Sequence, residues 1–278
     1  MIHRARLIAV VLASAAAGVV TQSDAQELTP LERHKLGRSK QTETAALFSA
    51  HSYKSDDGDS IPYRLLKPLN YDPEQEYPLV VCLSGSGGRG DDNVLQIGGC
   101  WPAQVLAQQS HREDYPCFVL APQCPTGQNW VSIDSLVFAM IRQVEDEYSV
   151  DTDRRYVTGQ SMGGSGSWNY IATHPDMFAA AVPICGRTDT TLSGRISRVP
   201  VWAFHGEQDD AVPVDFSRSM IAASKAAGGS PRYTEFPGVG HVSWPLAYDT
   251  PGLLDWLFAQ KRHGAASVMP AVEPPNTE

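Results

Sequence analysis

The sequence predicts a single α/β domain, with a mainly parallel central sheet, helices on both faces and an antiparallel hairpin at its start. Three observations carry this expectation. From Tyr77 onward, short apolar runs alternate with segments long enough for helices, the layout of a sheet covered on both sides. Ahead of them, two strand-like runs flank a turn of small and acidic residues. At 278 residues, 42% hydrophobic and 19% charged, the chain can bury one large core and is neither fibrous nor wholly disordered.

Residues 1–6 carry Arg4 and Arg6, residues 7–20 are almost unbroken apolar, and Ser23, Asp24 and Ala25 are suited to a signal peptidase. The apolar run is shorter than the roughly 20 residues of a membrane span. Residues 1–25 are therefore expected to be a cleaved export signal, placing the mature chain outside the cell or in a periplasm. Residues 26–45 are polar and show no clear period, so they read as a lead segment ahead of a catalytic-scale domain at 46–262.

Runs at 47–53 and 61–66 flank Ser55, Asp56, Asp57, Gly58 and Asp59 and form the hairpin. The sheet continues with runs at 79–83, 117–121, 155–158, 179–184, 199–204 and 233–236. Apolar residues spaced by three and four predict helices at 132–148, 162–173 and 216–227, with a last helix at 253–260. Past His263 the prolines at 270, 274 and 275 and the scarcity of large apolar groups predict a tail at 263–278 outside the fold.

The formal charge of −9, near −10 once the signal is gone, repels phosphate backbones and anionic lipid and excludes nucleic acid as a partner. Five cysteines are too few for a disulfide framework. Cys82 and Cys185 sit in apolar runs that read as central strands, whereas Cys100, Cys117 and Cys124 lie near strand ends and could supply one bridge. No metal-ligand spacing occurs among the Cys and His residues, so no zinc site is expected.

Gly159-Gln160-Ser161-Met162-Gly163 follows one predicted strand and opens a helix, the setting in which a serine sits on a sharp strand-to-helix turn. A five-residue pattern recurs by chance, so its surroundings must carry the reading. A serine hydroxyl needs a base, and a histidine base needs a carboxylate to fix its tautomer. Of eight histidines, His241 alone lies in a loop after a late strand, framed by Gly238, Gly240 and Trp244. The acid comes from the loop after His205, with Asp209 first and Asp210 second, while Glu207 reads as solvated. The order Ser161, Asp209, His241 differs from that of the chymotrypsin and subtilisin arrangements. Oxyanion donors are expected from the amides of Met162 and of Ser86, in the glycine-rich loop at 83–90. That loop lacks the Lys-Ser or Lys-Thr of a nucleotide cradle. Trp130 and Trp244 are candidate walls for substrate, with Gln160 beside the nucleophile, whereas Trp168 reads as core.

These residues resemble secreted bacterial esterases of the α/β-hydrolase superfamily, close to the phospholipase/carboxylesterase and feruloyl or acetylxylan esterase branches and sometimes labelled predicted peptidases. The resemblance is strongest at 77–93, containing Leu-Ser-Gly-Ser-Gly-Gly-Arg-Gly-Asp-Asp-Asn, and at 151–186, containing Tyr-Val-Thr-Gly-Gln-Ser-Met-Gly-Gly and Pro-Ile-Cys-Gly. Ser84 departs from it, standing where such proteins commonly carry His. The resemblance implies a cofactor-free serine esterase acting on small or aromatic acyl groups, such as a ferulate or acetate on plant polysaccharide. A serine peptidase of prolyl-oligopeptidase type and a non-catalytic binding domain are the rival expectations.

Overall fold

The computed structural model describes residues 28–262; the expected export signal and C-terminal tail lie outside them. The strands are β1 (Ser49–Lys54), β2 (Ser60–Leu66), β3 (Tyr77–Leu83), β4 (Phe118–Pro122), β5 (Val150–Gln160), β6 (Ala180–Ile184), β7 (Trp202–Gly206) and β8 (Arg232–Phe236). They form one sheet in the order β1-β2-β4-β3-β5-β6-β7-β8. The β1–β2 hairpin is antiparallel, as is β2 on β4; from β4 to β8 every pairing is parallel. This is the α/β-hydrolase fold with its N-terminal hairpin, as the sequence pattern predicted.

The helices are α1 (Pro30–Ser39), α2 (Gln41–Ala45), α3 (Leu95–Gly98), α4 (Trp101–Leu106), α5 (Gln109–Asp114), α6 (Asp134–Glu147), α7 (Met162–Thr173), α8 (Ser193–Ile196), α9 (Asp215–Ala226), α10 (Trp244–Tyr248) and α11 (Leu253–Phe258). Alternation along β3 divides the core between the two faces of the sheet. Leu79, Val81 and Leu83 pack with Phe138 and Ile141 of α6, Trp168 of α7 and Met220 of α9. Val80 and Cys82 pack on the opposite face with Trp101 and Leu106 of α4, Ala247 of α10 and Leu257 of α11. Among the described residues no helix is long and apolar enough to cross a membrane.

Two expectations are corrected. The lead segment is helical: Thr29 caps α1, accepting from the Glu32 amide while the Glu32 carboxylate accepts from the Thr29 amide, and Pro30 opens the first turn. And the cysteines form no bridge. All five are buried free thiols, Cys100 and Cys124 wholly enclosed and Cys117 nearly so.

Candidate active site

The carboxyl edge of the parallel strands gathers the predicted nucleophile, base and acid. β5 ends at Gln160, α7 begins at Met162, and Ser161 between them is held at φ 56°, ψ −116°. Glycine is obligatory on either side for want of space. A Cβ at position 163 would lie 1.9 Å from the Leu83 carbonyl oxygen, and one at 159 would lie 2.6 Å from that same oxygen. The turn thus presses the start of α7 against the end of β3 and presents the serine hydroxyl above the sheet.

His241 Nε2 lies 2.9 Å from Ser161 Oγ, and its Nδ1 lies 2.7 Å from Asp209 Oδ2. A carboxylate only accepts, so Nδ1 carries the hydrogen and Nε2 of the neutral ring is left to accept from the serine hydroxyl. Asp209 is buried and Asp210 is exposed, so the acid that reaches the histidine is Asp209. Its Oδ1 accepts from the amides of Ala211 and Val212 at 3.0 and 2.8 Å. Burial favours the neutral acid, yet hydrogen bonds from His205, His241 and the Val212 amide hold the Asp209 carboxyl well below the ordinary carboxylate range. Burial likewise opposes charge on His241, but the Asp209 carboxylate and the Cys185 sulfur favour the charged ring and raise its pKa above the usual 6.5.

Three contributors escaped the sequence reading. His205, set aside as a strand-end residue, is wholly buried with Nε2 3.1 Å from Asp209 Oδ2 and 2.9 Å from the Val212 carbonyl. Both neighbours only accept, so Nε2 carries a hydrogen; the Ser217 hydroxyl is the partner of Nδ1 at 2.7 Å. Glu207 is not simply solvated: it accepts from the Gly238 amide at 2.8 Å, while the Gln208 amide donates to the Val239 carbonyl, so the acid loop and the base loop are joined by hydrogen bonds. Cys185 lies just beyond β6 rather than within it, at φ 41°, with its sulfur within 4.8 Å of ligating atoms of both Asp209 and His241. Of these, only the acid-rich loop itself left a visible signal in the sequence.

A cleft of about 880 Å³ opens beside Ser161, lined among others by Met162, Trp130, Val131, Leu192 and Phe216. Val131 and Phe216 are 50% and 39% exposed and give the cleft an apolar wall open to solvent. Trp130 reaches this cleft but is otherwise core, its indole donating to the Ser84 carbonyl at 2.8 Å. Trp244 and Gln160, expected at the substrate, are not among the residues that line this cleft. Trp244 stacks edge-on behind His241 with ring centroids 5.6 Å apart, and its indole donates to His34 Nδ1. Gln160 is buried and accepts from the Trp101 amide at 2.8 Å. A Cβ on Gly85 would stand 3.7 Å from Ser161 Cβ, so the glycine-rich loop, with its 3₁₀ turn Ser86–Gly88, abuts Ser161. Helix α1 braces this loop from outside, Arg38 donating to the Gly87 carbonyl.

Comparison with known proteins places the chain among esterases. The profile of a family described as "Putative esterase" matches residues 57–228, more than half of the chain. Feruloyl esterase C of Emericella nidulans is 26% identical over 208 residues, covering 67% of this chain and 74% of its own. A bifunctional acetylxylan esterase/xylanase of Neocallimastix patriciarum is 29% identical over 58% of this chain, which spans only 23% of that larger protein. Among solved structures, a thermostable esterase is 40% identical with a TM-score of 0.75, over 79% of this chain and 64% of that one.

Proposed function

The chain belongs to this esterase family and is a carboxylic ester hydrolase, and we propose that it is exported and cleaves small or aromatic acyl esters through an acyl-enzyme on Ser161. The observation that carries the mechanism is the continuous chain from Ser161 Oγ through both nitrogens of His241 to Asp209. As Oγ attacks the ester carbonyl, its proton passes to His241 Nε2, and Asp209 stabilises the imidazolium. The carbonyl oxygen becomes an anion facing the amides of Met162 and Ser86, a position where each donor contributes about 10²- to 10³-fold in rate. Collapse of the tetrahedral intermediate expels the alcohol, which leaves with the proton from His241. Water then attacks the acyl-enzyme, giving its proton to His241, and a second collapse returns that proton to Ser161 as the acid departs. The reaction uses no metal or organic cofactor.

The exposed apolar pair Val131 and Phe216 and the adjoining Trp130 edge suit a planar aromatic acyl group. The likeness to a feruloyl esterase and an acetylxylan esterase supports the same acyl classes. Export rests on the arginine-flanked apolar run at the start of the chain. Methyl ferulate, 4-nitrophenyl acetate and peptide anilides assayed side by side test the reading. Ester turnover well above anilide turnover is expected; strong anilide cleavage with feeble ester cleavage would favour a peptidase, and no turnover of either would favour a binding domain.

A further inference from the structure

The cleft beside Ser161 carries positive charge that the rest of the protein leaves unneutralised. Three charged side chains line it: Arg89, Arg187 and Asp189. Asp189 is engaged locally, its Oδ1 accepting from the Thr191 amide at the start of a 3₁₀ turn. Neither arginine has a carboxylate within 4 Å among the described residues; what distinguishes the two from other arginines without one is that both line the cleft beside Ser161.

Arg89 is the more telling of the two. It sits on the glycine-rich loop next to Ser161, is half-buried, and its guanidinium lies beside the Cys124 sulfur, where it opposes the upward push of burial on that thiol. The Arg89 guanidinium lines the cleft with no carboxylate within 4 Å among the described residues, so an incoming anion is the partner that completes its charge. Arg187 is exposed, but its backbone is pinned by a 2.9 Å bond from its amide to Ser165 Oγ, one turn into the nucleophile helix. A planar guanidinium matches a carboxylate in a two-pronged arrangement better than any other side chain does.

We propose that Arg89 and Arg187 form an anion-recognising subsite, so that the substrate is an ester bearing a carboxylate close to the scissile bond. This rests on the esterase reading of the same cleft and narrows its substrate class. The carboxylate can lie on the alcohol side, as in an acylated uronic acid of an acidic polysaccharide, or on the acyl side, as in a dicarboxylic half-ester. Apolar Val131 and Phe216 then receive the uncharged part of the substrate in the same cleft.

Two matched pairs separate these sources: feruloylated galacturonic acid against feruloylated galactose, and monoethyl adipate against ethyl hexanoate. The quantity read is the ratio of kcat/KM for the anionic and neutral member of each pair. We expect a ratio of about tenfold or more in at least one pair at low salt, the scale of one charge-assisted hydrogen bond. That ratio should shrink as ionic strength rises. R89Q should reduce it most, R187Q should reduce it in part, and R89K should retain more of it than R89Q. Should R89Q disturb folding, the exposed Arg187 and the salt dependence still decide the matter. Ratios near one in both pairs, or a loss in the variants that is equal for anionic and neutral esters, would overturn the proposal while leaving the esterase reading intact. Failure to hydrolyse any of the four esters would overturn both.

Discussion

On one side of Ser161 the polar groups are already partnered before any substrate arrives. Asp209 accepts from two backbone amides and two imidazoles, His241 is bonded through both nitrogens, and Trp244, itself tied to His34 of α1, closes the back of the ring. On the other side, the cleft wall holds apolar side chains exposed to water and two arginines with no carboxylate within 4 Å among the described residues. The difference teaches which part is fixed and which part is selective. Catalytic geometry has to be in place before the reaction, because reorganising it during the reaction would cost rate. Groups that recognise substrate gain most when their partners come from the substrate.

The contrast can be broken most severely at the partnered side. His241→Ala and Asp209→Asn are each expected to lower kcat by about 10⁴-fold, the scale seen when one member of a cooperative triad is lost. Thermal unfolding should show that His241→Ala remains folded, since the ring is part-exposed. A smaller break comes from His205. Removing its N–H with Phe should lower kcat/KM by about 10- to 100-fold, the worth of a hydrogen bond to a charged group, and Gln, which keeps an N–H donor, should recover part of the loss. A structural role alone would not move the pH profile, whereas loss of this donor makes Asp209 more basic and shifts the limb that reports His241.

That limb has a defined sign. Only neutral His241 can accept the serine proton, so activity is lost as pH falls through its pKa, and Asp209 and Cys185 have raised that pKa. The acid limb of kcat/KM should therefore lie above the ordinary histidine value of 6.5, and Cys185→Ala should move it to lower pH. The smallest effects are expected in α1. His34→Ala removes the acceptor of the Trp244 indole and Arg38→Ala releases the Gly87 carbonyl. Each should cost about 1 kcal/mol of stability and less than about tenfold in turnover.

Much of this arrangement was legible in the residues. The parallel strands announce themselves as short apolar runs, and the nucleophile turn shows in glycines whose Cβ atoms have no room. Asp209 and His241 were legible as polar residues just beyond strand ends. The helical lead segment was missed because α1 has no buried residue and hence no strong apolar period, although Thr29, Pro30 and Glu32 spell a helix start. His205 was missed because its role depends on Ser217, a partner on a different element that meets it only after folding. The thiols misled because position in the sequence does not reveal depth, and all three bridge candidates proved to be core. Gln160 and Trp244 lie near Ser161 and His241 in sequence, yet their side chains turn toward Trp101 and His34.

Covalent labelling tests the central claim most directly: the protein is treated with a fluorophosphonate and the modified peptide is identified by mass spectrometry. The account predicts a single adduct on Ser161, absent in Ser161→Ala and formed far more slowly in His241→Ala. Equal labelling of wild type and Ser161→Ala, or an adduct on another residue, would contradict it.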